Sequence, residues 1–216
     1  ENGRGVDLHL NNGDGTLTRH TTVTTNAYGS GNSFAMADLN NDSRDDVIVG
    51  YAFNVVVFLS QPDGSYGSAQ PHPVGSFPSS IAVGDLNGDG RPDIVAANAS
   101  TDDVSVLIAS APGVFLPQVR YPVGDNPRQV QLVRLRTGGP LDAVVTLASA
   151  DYQVILPGVG DGTFGSRYTV GSGTSLAAIH DWNNDGKLDL VSTISPGGLI
   201  LPGNGDGTFD TRLQIV

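Results

Sequence analysis

The chain has 216 residues, 22 acidic against 11 basic side chains, a formal net charge of −11 and a mean hydropathy of −0.07. That balance speaks against nucleic acid, whose phosphates need a basic face, and the lack of cysteine excludes disulfides and thiolate metal sites. No apolar run approaches a membrane span and no signal peptide is visible, so a leader would have been removed or lie outside this sequence.

In chain order, the first elements are two strands, Val6 to Leu10 and Thr16 to Val23, joined by Asn12-Gly-Asp-Gly-Thr-Leu17. Asp-Gly between apolar runs signals a hairpin, because Gly supplies the positive φ of tight turns. The same turn returns as Pro62-Asp-Gly-Ser-Tyr66, Gly160-Asp-Gly-Thr-Phe164 and Gly205-Asp-Gly-Thr-Phe209, with a shortened form at Pro112-Gly113. These turns read as structural.

Between the turns lies a second recurring element with Asp, Asn, Asp and Asp at positions 1, 3, 5 and 9. It spans Asp38, Asn40, Asp42 and Asp46; then Asp85, Asn87, Asp89 and Asp93; then Asp181, Asn183, Asp185 and Asp189. Short oxygen-bearing side chains alternating around a tight loop suit a hard cation, with the position-7 carbonyl of Arg44, Arg91 or Lys187 as a further ligand. Gly90 and Gly186 at position 6 allow the bend, and Ser43 stands there in the first loop. Glu1 is the only glutamate, so the acidity is aspartate chosen for turns and coordination rather than generic surface charge. Position 12 would be Val49, Ala96 or Ser192, which excludes an EF-hand, and the flanks are strand-like. A fourth loop falls midway between the last two. It has Arg134, Arg136 and Gly138 at the first three ligand positions and keeps only Asp142; Arg134 or Arg136 would place a guanidinium where the ion would sit.

A unit therefore repeats about every 47 to 49 residues and reads as four short strands separated by Gly, Pro, Asn and Asp. In the second unit these are Ser80 to Val83, Asp93 to Ala97, Val104 to Ala109, and a polar stretch from Phe115 to Tyr121. The small residues Ala35, Ala37, Ala82, Ala177 and Ala178 suit a crowded innermost strand. The expected fold is all-β, a β-propeller of four-stranded antiparallel blades. A single array covers 1–216: a half blade at 1–32, blades at 33–79 and 80–128, a degenerate blade at 129–174, and a blade at 175–216.

The Asp loop, the apolar strand behind it and the Asn-Gly-Asp-Gly-Thr turn resemble FG-GAP or VCBS repeats, the blades of integrin α-subunit propellers and of many secreted proteins. The resemblance implies that the loop joins a blade's first and second strands and binds structural Ca²⁺, here three ions. It also implies a ring of about seven blades, so four and a half suggest an incomplete or fragmentary ring within a longer propeller chain. Extracellular calcium modules bind at ~0.1–1 mM, which points to a secreted or cell-surface protein.

Enzyme signatures are missing. There is no G-x-S-x-G elbow, the single lysine Lys187 completes no phosphate loop, and His9, His20, His72 and His180 lack ligand spacing. Trp182 replaces the leucine of loop position 2 and reads as packing between blades. Tyr51, Phe53, Phe77, Asp103, Arg128 and Tyr152 fall on connections opposite the Asp loops and are candidate ligand contacts. Asn98-Ala99-Ser100 on that side is a glycosylation sequon. The functional expectation is a non-catalytic recognition module for carbohydrate or an extracellular protein, or an accessory or scaffold domain of a larger secreted enzyme or adhesin.

Overall fold

The computed structural model describes residues 5–24, 33–148, 152–171, 175–194, 197–210 and 214–215. Among these the chain forms strands and no helix. The first pair is β1 (Gly5–Asn11) and β2 (Leu17–Thr24), an antiparallel half blade. The first full blade is β3 (Ser33–Ala37), β4 (Asp46–Tyr51), β5 (Asn54–Phe58) and β6 (Gln70–Pro73), hydrogen-bonded in that order.

The second blade is β7 (Pro78–Gly84), β8 (Asp93–Asn98), β9 (Asp103–Leu107) and β12 (Val119–Pro122). A small hairpin, β10 (Ala109–Ala111) with β11 (Val114–Phe115), interrupts what the sequence suggests is one continuous third strand. The third blade holds β13 (Pro127–Val133), β14 (Asp142–Leu147), β15 (Gln153–Leu156) and β16 (Tyr168–Val170). The fourth holds β17 (Ser175–His180), β18 (Asp189–Ile194), β19 (Gly197–Leu201) and β20 (Gln214–Ile215). All four sheets are four-stranded and antiparallel, as the repeat predicts.

Beyond its leading Asp, the second strand of each blade is mostly apolar, and in β8 both faces are covered. In β8, Ile94 and Ala96 point into a cluster with Leu39, Ile48, Val55 and Val57 of the first blade. The alternating Val95 and Ala97 join Val130, Ala143, Val145 and Val154 of the third. The period-2 geometry of a strand turns one run of hydrophobic residues into two inter-blade seams. The half blade is packed likewise, with Leu8 and Val23 against Val47, Val49, Val56 and Phe58.

The innermost strands are stitched by hydroxyls. Ser33 Oγ donates to the Pro78 carbonyl (2.8 Å), Ser79 Oγ to the Pro127 carbonyl (2.6 Å), and Ser80 Oγ accepts the Val130 amide (3.2 Å).

Candidate metal centres and the seams between blades

Each Asp loop joins the first strand of its blade to the second, and the three full loops share one hydrogen-bond pattern. In the first, both Asp38 Oδ1 and Asn40 Oδ1 accept the Asp42 amide (3.0 Å each), Asp38 Oδ2 accepts the Ser43 amide (2.7 Å), and Asp42 Oδ1 accepts the Arg44 amide (3.0 Å). In the second, Asp85 holds the amides of Gly88, Asp89 and Gly90, Asn87 that of Asp89, and Asp89 that of Arg91. The third repeats this at Asp181, Asn183 and Asp185, the last holding the Lys187 amide.

Successive turns of this kind wind the side-chain oxygens of positions 1, 3 and 5 into the loop. The winding needs left-handed backbone at position 6 (Ser43, Gly90, Gly186) and also at position 4 (Asn41, Gly88, Asn184); Gly and Asn tolerate it, whereas Ser43 adopts it with its amide on Asp38. Burial pushes the Asp85 carboxyl up, but the amides of Gly90, Gly88 and Asp89 outweigh it and hold the group below the usual carboxylate value.

Position 9 has a second duty that the motif alone does not announce. Asp46 is fully buried; its Oδ2 accepts the Leu39 amide (2.9 Å) and its Oδ1 the Ser60 amide (2.8 Å). Asp93 does the same for Leu86 and Ala109, and Asp189 for Trp182 and Gly203. One carboxylate thus clamps the start of its own loop to the end of the third strand. Burial pushes the Asp46 and Asp93 carboxyls up, and these amides pull against that shift. The degenerate loop explains itself on this basis. Asp142 accepts the amides of Leu135 (3.1 Å) and Gly158 (2.9 Å), so it persists where the other three oxygen donors are gone.

Its cationic neighbour is Arg136, whose Nη2 lies 2.5 Å from Asp142 Oδ1 and 2.5 Å from the Gly158 carbonyl. Arg134 turns away to the Gly139 carbonyl (2.7 Å). Of the two arginines, only Arg136 supplies the guanidinium.

Among the described residues no three carboxylates or imidazoles converge on one point; each loop carboxylate holds amides, and Asp42 and Asp89 also hold the guanidinium of Arg44 and Arg91. The donor set is nevertheless all oxygen and rich in carboxylate, as a hard divalent cation requires. Asp42 and Asp89 already attract positive charge in two of the three loops. Asp38, Asn40, Asp42 and Asp46, with their counterparts in the other two loops, are the side chains that would hold the ion.

The loops also sit on the seams. The Leu39 carbonyl accepts the Gly113 amide (2.9 Å) from the next blade's outer turn, and the Leu86 carbonyl accepts that of Gly162 (3.3 Å). At the degenerate loop the Thr137 amide donates to the Gly205 carbonyl (3.0 Å). Leu39, Leu86 and Leu135 are buried there and share clusters with Phe115, Phe164 and Phe209 of those turns. The turns are structural, as read from the sequence. In each Asp-Gly turn the Asp Oδ1 takes both the amide and the hydroxyl of the residue two ahead: Thr16, Ser65, Thr163 and Thr208. Those hydroxyls, and then the amides, hold Asp14, Asp63, Asp161 and Asp206 below the usual carboxylate value.

Several expectations are corrected. Trp182 is 55% exposed and so does not pack as Leu39 does. Tyr51 is 1% exposed and belongs to the core cluster around Val47 and Val56, which removes it from the surface contacts. Asp103 is buried, paired with Arg120 and bonded to Asn98 Nδ2 (2.7 Å). Asn98 is buried in that network, so its amide is no glycan acceptor in the folded chain. Phe53 and Phe77 are exposed on connections joined by the Phe77 amide, which donates to the Ala52 carbonyl (2.6 Å). Tyr152 is exposed on the connection before β15, whereas Arg128, also exposed, lies within strand β13 and not on a connection.

An FG-GAP-like repeat model matches residues 2–49 and 43–96. No curated protein sequence matches the chain. Among solved structures, a lectin from Agrocybe aegerita that recognises non-reducing terminal N-acetylglucosamine has a TM-score of 0.53 at 18% identity, covering 99% of this chain and 74% of its own. The Photorhabdus luminescens Tc holotoxin pore has a TM-score of 0.52 at 17% identity, over 99% of this chain and 11% of that one. At such identities the likeness is one of fold. The chain is accordingly a propeller-type array of four-stranded blades whose residues 2–96 match an FG-GAP-like repeat model.

Proposed function

We propose that the chain is a non-catalytic, calcium-binding recognition module, secreted or displayed at the cell surface, whose blades present a carbohydrate-binding surface. The observation that carries the calcium part is the shared winding of oxygens in the three Asp loops. Bound calcium would supply a fixed double positive charge among carboxylates that otherwise repel one another. Asp38, Asp85 and Asp181 orient each loop through backbone amides, and the position-9 aspartates tie it to the third strand. Because two of these loops contact the next blade's turn, holding the loop also holds the seam.

The fold shared with a sugar-recognising lectin supports carbohydrate as the ligand class. A second reading, an accessory domain of a larger assembly, is supported by the toxin in which this fold makes up 11% of the chain. A glycan-array screen of the purified chain in millimolar calcium and again in chelator tests the proposal. Sugar binding that disappears with calcium is the expected result. Silence in both buffers from a chain that melts cooperatively would reject carbohydrate recognition.

A further inference from the structure

The seam between the second and third blades opens into a surface cleft of about 370 Å³. Tyr121 and Pro122 of β12 form one side, Leu156 of β15 lies between, and Gly165, Ser166 and Arg167, leading into β16, form the other. Two of these groups are held in place. The Tyr121 ring meets Phe164 edge-on with centroids 5.4 Å apart, and its hydroxyl accepts the Phe164 amide (3.2 Å). Arg167 Nη1 donates to the Val123 carbonyl (2.6 Å), passing over Gly124, where a Cβ would come within 3.7 Å of that nitrogen. The anchor uses one of the guanidinium's five donors.

Arg167 is held at a seam between blades without a carboxylate, in a chain with twice as many acids as bases; Arg134, bonded within its own loop to the Gly139 carbonyl, also lacks one. Arg44, Arg91, Arg120 and Arg136 each lie against an aspartate, whereas Arg167 has no carboxylate partner among the described residues. The preceding seam does not repeat the arrangement. There the place of Tyr121 is taken by His72, edge-on to Phe115, and that of Arg167 by Gln118, whose Oε1 accepts the Ser105 hydroxyl (2.6 Å). An apolar-walled cleft with an oriented aromatic ring, a hydroxyl and an unpaired, anchored guanidinium is complementary to a ring that is apolar on one face and carries a carboxylate.

We propose that this cleft binds a carboxylate-bearing saccharide, a uronic-acid residue, with the sugar against Tyr121, the carboxylate on Arg167 and a ring hydroxyl on Ser166. The site rests on the carbohydrate reading above and gives it one ligand class and one site per chain.

The test is calorimetric titration of the whole chain, in calcium, with methyl β-D-glucuronide and with methyl β-D-glucoside. The glucuronide should bind one to one and about tenfold or more tighter than the glucoside, the scale of a charge-assisted contact. Arg167→Met should erase the preference, and melting curves would confirm that it folds. Gly165→Val keeps the guanidinium but fills the cleft and should abolish binding of both sugars; its Cβ meets only Pro157, at 3.6 Å. Equal affinity for the two sugars, or a preference that survives Arg167→Met, overturns the cleft while leaving carbohydrate recognition standing. Silence toward these sugars together with a silent glycan array overturns both.

Discussion

Asp142→Ala isolates the structural role of loop position 9, because Asp142 sits in the loop that has lost its other oxygen donors. The side chain is 1% exposed and accepts the amides of Leu135 and Gly158, both buried. Alanine leaves two buried donors without an acceptor, at ~1–3 kcal/mol each. The Arg136 ion pair goes too, but that guanidinium is a third exposed, so its share is small. The total is about 2–6 kcal/mol, which for a chain of this size lowers Tm by on the order of 10 °C. Differential scanning calorimetry in calcium and in chelator should give the same loss in both. Asp142→Asn, which keeps one acceptor oxygen, should fall about halfway. A loss below ~1 kcal/mol would refute the clamp, and a loss seen only in calcium would show that Asp142 acts through an ion.

Ile94→Ala empties a fully buried position between the first and second blades and should cost about 2–5 kcal/mol by denaturant titration. Burial holds the His72 imidazole below its usual 6.5, and its Nε2 has no hydrogen-bond partner. Because the unfolded chain takes up the proton first, stability should be level above the unfolded pKa and fall as pH drops through 6.5; His72→Leu should remove that part of the slope between pH ~7.5 and ~5.5. Phe77 holds a left-handed φ of 58° where the next repeat has Asn126 at 52°. Phe77→Asn should therefore raise stability by up to ~1 kcal/mol in thermal melts.

The period and the loop-to-strand order were legible because turn chemistry is local: Asp, Asn and Gly at fixed offsets define the backbone path by themselves. What was not legible depends on neighbours. The run Asp46-Val-Ile-Val-Gly-Tyr51 looks the same whether Tyr51 ends at the surface or under the half blade; Val23 and Leu8 decide it. Asn98 reads as an accessible sequon until Asp103 and Ser105 close around it. Trp182 matches the packing position of Leu39 in sequence yet remains exposed. The double role of position 9 did leave a signal: Asp142 persists in a loop stripped of its other acids, which a purely metal-binding role cannot explain. The cleft at Arg167 left none, since it is assembled from two blades by the Gly124 backbone and the Tyr121 ring.

The central claim is that the Asp loops bind calcium, and the direct measurement is a calorimetric calcium titration of the chelator-treated chain. The account predicts three sites per chain at ~0.1–1 mM, falling to two when Asp85 and Asp89 are both changed to Ala. Saturating calcium should add ~1.4 kcal/mol of stability per site at ten times Kd. A chain that takes up no calcium, with Tm unchanged between calcium and chelator, would contradict it.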